Sequence, residues 1–164
     1  MCNDRDITII LVLVLCGAIG SCSLFEDPID TSAPICQMAR EDGSIIYGDK
    51  KKDLSLDDLL SLQKCGLAIH PNYILDKDIA NHFEYPVPKI LALLNSEANE
   101  YYRYFLIQDI AAVTESRHAG HRERLRNYME SVLLAVNKAI GEIKNDNLRK
   151  NSQAELDKLR HFFK

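Results

Sequence analysis

The clearest pattern in the chain is a repeat of apolar positions in its second half. Between residues 122 and 144 apolar side chains recur mostly at steps of three or four, which is the period of one face of an amphipathic helix. These positions are Leu125, Met129, Val132, Leu133, Val136, Ile140 and Ile143. Similar spacing between residues 88 and 116 predicts another long helix, and the polar residues 117–121 are expected to separate the two.

Shorter helices are predicted on both sides of this pair. Ser55, followed three residues later by Asp58, has the pattern of a capping box, and the helix that it begins is expected to end near Gly66. A second capping box at residues 152–155 predicts a short terminal helix, and residues 76–83 predict one more. Because strand patterns are nearly absent, the predicted fold is all-α: a small helical bundle in which two long antiparallel helices pair and shorter helices complete the core.

The N-terminus predicts export from the cytoplasm. Residues 7–19 are uncharged and apolar, but they are shorter than the roughly 20 residues that a membrane-spanning helix needs. They match the apolar region of a signal peptide instead. The tetrad at residues 19–22, Ile-Gly-Ser-Cys, resembles the relaxed lipobox of bacterial lipoproteins, in which the Cys thiol is acylated before cleavage. This resemblance implies a signal peptide at residues 1–21 and a membrane anchor on Cys22; a secretory signal cut near Ser23 and an uncleaved anchor helix remain alternatives.

The cysteines beyond the signal predict one disulfide. If Cys22 carries lipid, Cys36 and Cys65 remain as an even pair, which we expect to be bridged in an oxidising compartment. Two unpaired thiols are the alternative. Residues 22–52 contain Pro, Gly and acidic residues without sustained periodicity, so we interpret them as a tether and lead-in, within which the bridge would hold a short helix. Residues 53–164 then form the bundle domain.

Composition and motifs argue against several classes of protein. The chain has 24 acidic and 20 basic residues, a net charge of −4, and this balance is unlike that of a dedicated nucleic-acid binder. No phosphate-binding Gly-rich loop, hydrolase nucleophile motif or His-Glu-x-x-His metal motif is present, so we expect neither an enzyme nor a cofactor. Glu115, His118 and His121 have spacing that could serve zinc, but the alternative is an ordinary solvated turn, and no metal site is predicted.

Two clusters are candidates for binding a partner. Neighbouring residues on a helix point about 100° apart, so the aromatic residues at 101–105 cannot all face one core. The apolar stripe leaves Tyr104 as the expected exposed member, with Arg103 beside it to pair with an acidic group. Arg117 and Arg122 belong to a second, basic cluster at the expected turn. The alternatives are core packing for the aromatic cluster and an ordinary charged helix start for the basic one.

A lipid-anchored, acidic, all-helical body of this size resembles the small outer-surface lipoproteins of spirochaetes. That group includes adhesins and proteins that bind host complement regulators such as factor H. The resemblance implies a non-catalytic protein of the cell surface or outer membrane that binds a host or extracellular protein. The alternative is a secreted or periplasmic helical factor, such as an inhibitor, an immunity protein or a signalling protein, that carries no lipid.

Overall fold

The computed structural model describes residues 32–42, 45, 53–69 and 75–164. All regular structure in these residues is helical, which confirms the all-α prediction. The helices are α1 (Pro34–Glu41), α2 (Leu56–Ile69), α3 (Asp76–Ala80), α4 (Val87–Ser96), α5 (Glu100–Ala112), α6 (Ala119–Asn127), α7 (Met129–Glu142) and α8 (Asp146–Phe163), with a 3₁₀ turn at Val113–Glu115. In this part of the chain, no helix combines the length and the apolar character that crossing a bilayer requires. The predicted signal segment and Cys22 lie outside the described residues.

Helix α5 is the centre of the bundle. Its buried side chains extend well beyond one narrow stripe, and none of its residues is exposed, because α3, α4 and α8 all pack against it. They are Tyr102, Phe105, Leu106, Ile107, Asp109, Ile110 and Ala111. The most extensive of these contacts is with α8, which presents a narrow stripe of buried positions. The core therefore forms around α5, and the remaining helices each bury one face on it.

The predicted helix at residues 88–116 is broken in the structure. Helix α4 ends at Ser96, and α5 begins only at Glu100. The break forms because the Asn99 side chain caps α5 by accepting a hydrogen bond from the backbone N–H of Tyr102 at 3.0 Å. Glu97 fixes the preceding turn by accepting from the backbone N–H of Asn99 at 2.9 Å. The expectation of one long helix here was wrong, since a local cap competes with the apolar period.

The predicted helix at residues 122–144 is also divided. Tyr128 leaves the helical conformation, with φ −97° and ψ 5°, and separates α6 from α7. Most positions of the predicted stripe are buried, but Met129 is 36% exposed because it lies immediately after this break. Neither of the two long helices that we expected is therefore continuous.

The C-terminal helix is longer than expected, and α8 is the longest described helix. Its cap is Asn145, whose side-chain oxygen accepts hydrogen bonds from the backbone N–H groups of Asn147 and Leu148, both at 3.1 Å. The carboxylate of Glu100 accepts from the backbone N–H of Asn145 at 2.9 Å and so ties this turn to the start of α5. Ser152, which we predicted as the first cap, is buried within the helix.

The N-terminal part of the described chain is attached through a disulfide. The Ser55–Asp58 capping box predicted for α2 is present, with the Asp58 N–H donating to Ser55 Oγ at 3.1 Å, although α2 continues beyond Gly66. Helix α1 packs against α2, and the structure pairs Cys36 with Cys65, whose Cα atoms are 5.8 Å apart. Both cysteines are buried, so the bridge is part of the core.

Candidate binding surface

The most exposed large apolar side chain in the described residues is Phe83, which is 83% accessible. It lies in residues 81–86, the segment that joins α3 to α4 and that we call the 81–86 loop. An aromatic ring that stays in water on folding gains nothing from the hydrophobic effect until something covers it. The neighbourhood of Phe83 is therefore the place to look for a contact with another molecule.

Hydrogen bonds from the segment before α6 hold one side of this loop. Asn81 Oδ1 accepts from the backbone N–H of Arg117 at 2.7 Å, and the Asn81 carbonyl lies 3.0 Å from His118 Nε2. The preceding carbonyl, that of Ala80, accepts from Ser116 Oγ at 2.8 Å. The buried Ser116 and the partly buried His118 thus fix the loop by its backbone and not by its exposed ring.

His82 holds the loop from the other side. Its Nε2 lies 3.2 Å from the carbonyl oxygen of Leu54, which precedes α2, and its Nδ1 accepts from the backbone N–H of Glu84 at 3.1 Å. Because Nδ1 accepts, Nε2 carries the proton and donates to Leu54. The His82 ring also packs against the Phe83 ring, with centroids 4.2 Å apart. The loop is consequently anchored to two parts of the fold, the segment before α6 and Leu54, and Phe83 is presented on a fixed backbone.

Further aromatic and basic side chains continue from the loop onto α6. The ring of Tyr85 lies 5.9 Å from that of Tyr128, and the guanidinium of Arg124 lies 5.8 Å from the Tyr85 ring centroid, within cation–π range. Tyr128 is 38% exposed, and Arg117 is exposed beside Asn81. We call the set Phe83, Tyr85, Arg117, Arg124 and Tyr128 the aromatic–basic surface.

Two titratable groups, His121 beneath this surface and Tyr85 within it, are neutral near pH 7. Burial lowers the pKa of His121; hydrogen bonds to the Ala80 and Phe83 carbonyls oppose the shift, while His118 and Arg124 add to it. Burial also raises the pKa of Tyr85 above its ordinary value, and Arg124 only partly offsets this. The positive charge of the surface therefore comes from its arginines rather than from His121.

The first predicted binding cluster is largely turned inward. The side chain of Arg103 is only 11% exposed, forms an ion pair with Glu142 at 2.9 Å and donates to the carbonyl of Glu97. Tyr104 is partly buried, with its ring 5.4 Å from that of Phe105, and burial raises its pKa. The prediction that Arg103 and Tyr104 project together toward a partner was wrong. The reason is that α4, α7 and α8 surround α5, so its charged residue pairs within the fold.

The second predicted cluster divides between structural and exposed roles. Arg122 is partly buried and donates to the carbonyl of Ser116, so it stabilises the turn before α6 and does not point to solvent. Arg117 is exposed, as a binding residue would have to be. The structure thus keeps Arg117 as a candidate and replaces Arg122 with Arg124, which lies over Tyr85.

The histidines of this turn have structural partners. The His118 and His121 rings lie 4.8 Å apart, and each has a nitrogen within hydrogen-bond distance of a backbone carbonyl of residues 80–81. In the residues that the structure describes, no three His, Cys, Asp or Glu side chains are grouped as metal ligands would be. These histidines shape the loop that carries Phe83.

A polar cleft of about 380 Å³ lies between α3, the second half of α5 and α8. Its walls carry both signs of charge, and Lys158 is paired with Glu155 at 2.9 Å. Its charged residues are Asp76, Lys77, Glu115, Glu155 and Lys158. Since its charges are mixed and partly compensated, this cleft favours no particular ligand.

Comparisons with protein-family models, with curated proteins and with solved structures gave no match for this chain. The candidate surface therefore depends on geometry alone. The sequence patterns did not single out Phe83, Tyr85 or Tyr128. The signal that was present is an aromatic pair directly before Pro86, between two helices. Its meaning depends on the contact between Tyr85 and Tyr128, which are distant in sequence.

Proposed function

We propose that this chain is a non-catalytic binding protein that is tethered to a bacterial surface through lipid on Cys22 and engages an extracellular protein through the aromatic–basic surface. The observation that carries the proposal is the 83% exposure of Phe83 on a loop that hydrogen bonds fix from two sides. The proposed lipid comes from the lipobox resemblance, which is independent of this surface. A secreted or periplasmic factor without lipid would use the same surface, and acylation of Cys22 is the difference between the two.

The physical reason is that Phe83 can be buried against a partner without the free-energy cost of ordering the 81–86 loop. Burying a Phe side chain contributes roughly 1.5–3 kcal/mol, which is the size of a strong anchor in a protein interface. Binding costs free energy whenever a mobile segment must be ordered. Here the backbone around Phe83 already has its partners in Ser116, His82 and His118, so little of that cost remains.

The test compares two exposed apolar residues. Leu134 in α7 is 74% exposed and offers a matched control for Phe83. The full chain, extracted in detergent and immobilised, is exposed to serum or extracellular matrix as wild type, Phe83→Ser and Leu134→Ser. Proteins retained by the wild type are identified by mass spectrometry, purified and titrated by surface plasmon resonance. Circular dichroism confirms that both variants are folded.

We expect Phe83→Ser to weaken binding of the purified partner by about tenfold or more, which corresponds to about 1.4 kcal/mol. Leu134→Ser should stay within about twofold of the wild type, because an isolated exposed Leu is ordinary on a protein surface. Equal affinities for Phe83→Ser and wild type would contradict the proposal. So would an equal loss in both variants, or the absence of any specifically retained protein.

A further inference from the structure

We infer that the partner contact is acidic: an apolar pocket that receives Phe83, bordered by carboxylates that pair with Arg117 and Arg124. This inference rests on the proposed function and adds the chemistry of the partner to it. It follows from how the charges of the described residues are paired, and from the position of the aromatic rings among the unpaired cations.

The first observation is an uneven distribution of ion pairs. Elsewhere in the described chain, three arginines pair with carboxylates: Arg103 with Glu142 at 2.9 Å, Arg160 with Asp157 at 3.2 Å, and Arg149 with Asp146. The four arginines between residues 117 and 126 have no carboxylate within ion-pair distance among the described residues. They are Arg117, Arg122, Arg124 and Arg126. In a chain of net charge −4, the arginines without carboxylate partners are thus concentrated at residues 117–126, the stretch that begins beside the 81–86 loop.

The second observation is that these four arginines differ in their surroundings. Arg122 donates a hydrogen bond to the Ser116 carbonyl, and the Arg126 guanidinium lies 4.6 Å from the Phe162 ring centroid. Arg117 and Arg124 are both exposed, one beside Asn81 and the other over Tyr85. The Arg117 backbone N–H contacts Asn81 at one end of the 81–86 loop, and the Arg124 guanidinium lies over Tyr85 near its other end.

Nearby acidic residues do not cancel this charge. Glu84 lies in the loop itself but pairs with Lys89 at 3.1 Å. Three exposed acidic residues lie in or beside the stretch that holds the four arginines: Glu115 before it, Glu123 in α6 and Glu130 at the start of α7. The surface therefore keeps a positive excess that a partner with carboxylates would complement.

The aromatic rings favour a protein over a sulfated polysaccharide. A polyanionic glycan would be served by the arginines alone and has no apolar cavity for a side chain. Phe83 is 83% and Tyr128 is 38% exposed, and both would remain in water on such a ligand. An acidic polypeptide surface with an apolar pocket would bury the rings and pair with the arginines. Aromatic residues and Arg are both enriched at the centres of protein interfaces.

The experiment uses polymers of defined composition as probes. Binding of the full chain to a random Glu–Tyr copolymer, to poly-glutamate and to heparin is measured by fluorescence anisotropy between about 50 and about 300 mM NaCl. The charge-reversed variant Arg117→Glu/Arg124→Glu is compared with Lys138→Glu/Lys150→Glu. Lys138 and Lys150 are also exposed, and neither has a carboxylate within ion-pair distance in the described part of the chain. Phe83→Ser is measured in parallel.

We expect the wild type to bind the Glu–Tyr copolymer more tightly than poly-glutamate or heparin. This binding should weaken as salt is added. The arginine double variant should lose about tenfold or more in affinity, whereas the lysine double variant, with the same change of charge, should lose about twofold or less. Phe83→Ser should reduce affinity for the Glu–Tyr copolymer and leave that for poly-glutamate unchanged.

Equal losses of affinity in the two double variants would overturn the inference. So would an affinity for heparin that exceeds the affinity for the copolymer and is unchanged by Phe83→Ser. Failure of the inference and of the proposed function can be told apart. If the purified serum or matrix partner is lost with Phe83→Ser but retained by Arg117→Glu/Arg124→Glu, the binding function stands and the acidic partner does not. If Phe83→Ser retains that partner, the binding function itself fails.

Discussion

The substitution Asp109→Asn tests the one carboxyl group that is completely buried among the described residues. Asp109 lies in α5 with no exposed surface, and its Oδ1 accepts a hydrogen bond from Gln63 Nε2 at 3.1 Å. Asp109 Oδ2 and Gln63 Oε1 both lack a hydrogen-bond partner among the described residues. Burial raises the pKa of Asp109 well above its usual range, and Asp76 adds to the shift, while the Gln63 hydrogen bond opposes it. We therefore expect Asp109 to be a neutral carboxyl group that carries its proton on Oδ2, while Oδ1 accepts from Gln63.

The magnitude follows from proton linkage. The unfolded carboxyl titrates near about pH 4, whereas the folded carboxyl holds its proton to higher pH. The stabilising contribution of Asp109 is thus complete below about pH 4 and is lost as the pH rises toward the folded pKa, by about 1.4 kcal/mol for each pH unit. The asparagine of the variant has no carboxyl proton to lose, and its amide oxygen can still accept from Gln63 Nε2, which preserves a hydrogen bond worth about 0.5–1.5 kcal/mol. The two proteins should be similarly stable at low pH, and the variant should be the more stable at neutral pH.

Urea unfolding of the chain from residue 23 onward, followed by circular dichroism at several pH values, measures this directly. Glu130→Gln is the control, because Glu130 is exposed and the same change from carboxyl to amide is made there. The dependence of the unfolding free energy on pH should flatten with Asp109→Asn and stay unchanged with Glu130→Gln. An Asp109→Asn protein that is destabilised equally at every pH, with the wild-type pH dependence retained, would refute the neutral carboxyl.

Two further predictions concern the cysteines. Alkylation of native, unreduced protein should modify neither Cys36 nor Cys65, and removing the bridge with Cys36→Ser should lower the free energy of unfolding by roughly 3–4 kcal/mol for a loop of sequence separation 29; labelling of both thiols without reductant would show that no bridge forms. In bacteria fed an alkyne analogue of palmitate, the wild type should incorporate the label and Cys22→Ala should not, because the Cys22 thiol is the proposed acylation site. Equal labelling, or equal membrane retention at unchanged size, would exclude lipid on Cys22.

Local patterns with local partners were predictable from the sequence. The capping box of Ser55 and Asp58 involves neighbouring residues only, and it begins α2 as expected. The pairing of Cys36 with Cys65 followed from the parity of the cysteines and is present in the structure. The all-α class also followed, since it needs only the general period of the apolar residues.

The predicted helix boundaries were wrong where a single Asn cap begins a helix within, or earlier than, the apolar pattern suggested. Asn99 and Asn145 each accept backbone hydrogen bonds that begin a helix, but neither is followed by the Glu or Gln of a capping box. Helix α5 was misjudged for a different reason. Its buried positions extend well beyond one stripe and even its least buried face is partly covered, so the half-burial of Tyr104 could not be predicted from spacing.

The candidate surface was only partly predictable because its members meet through tertiary contacts. Arg117 was identified from the density of basic residues. Phe83 required knowledge that Ser116, His118 and His82 immobilise its loop, and these bonds span up to 37 residues. An aromatic residue in a loop is informative only when its exposure and the rigidity of its backbone are known together.

Hydrogen–deuterium exchange of the full chain, alone and saturated with the purified serum or matrix protein that it retains, tests the proposed binding surface most directly. Binding at the aromatic–basic surface should slow exchange in the 81–86 loop and around Arg117 and Tyr128, because a bound protein excludes water from these backbone amides. The second half of α8 should exchange at the same rate in both states. Protection confined to other helices, with the 81–86 loop unchanged, would contradict the assignment of this surface.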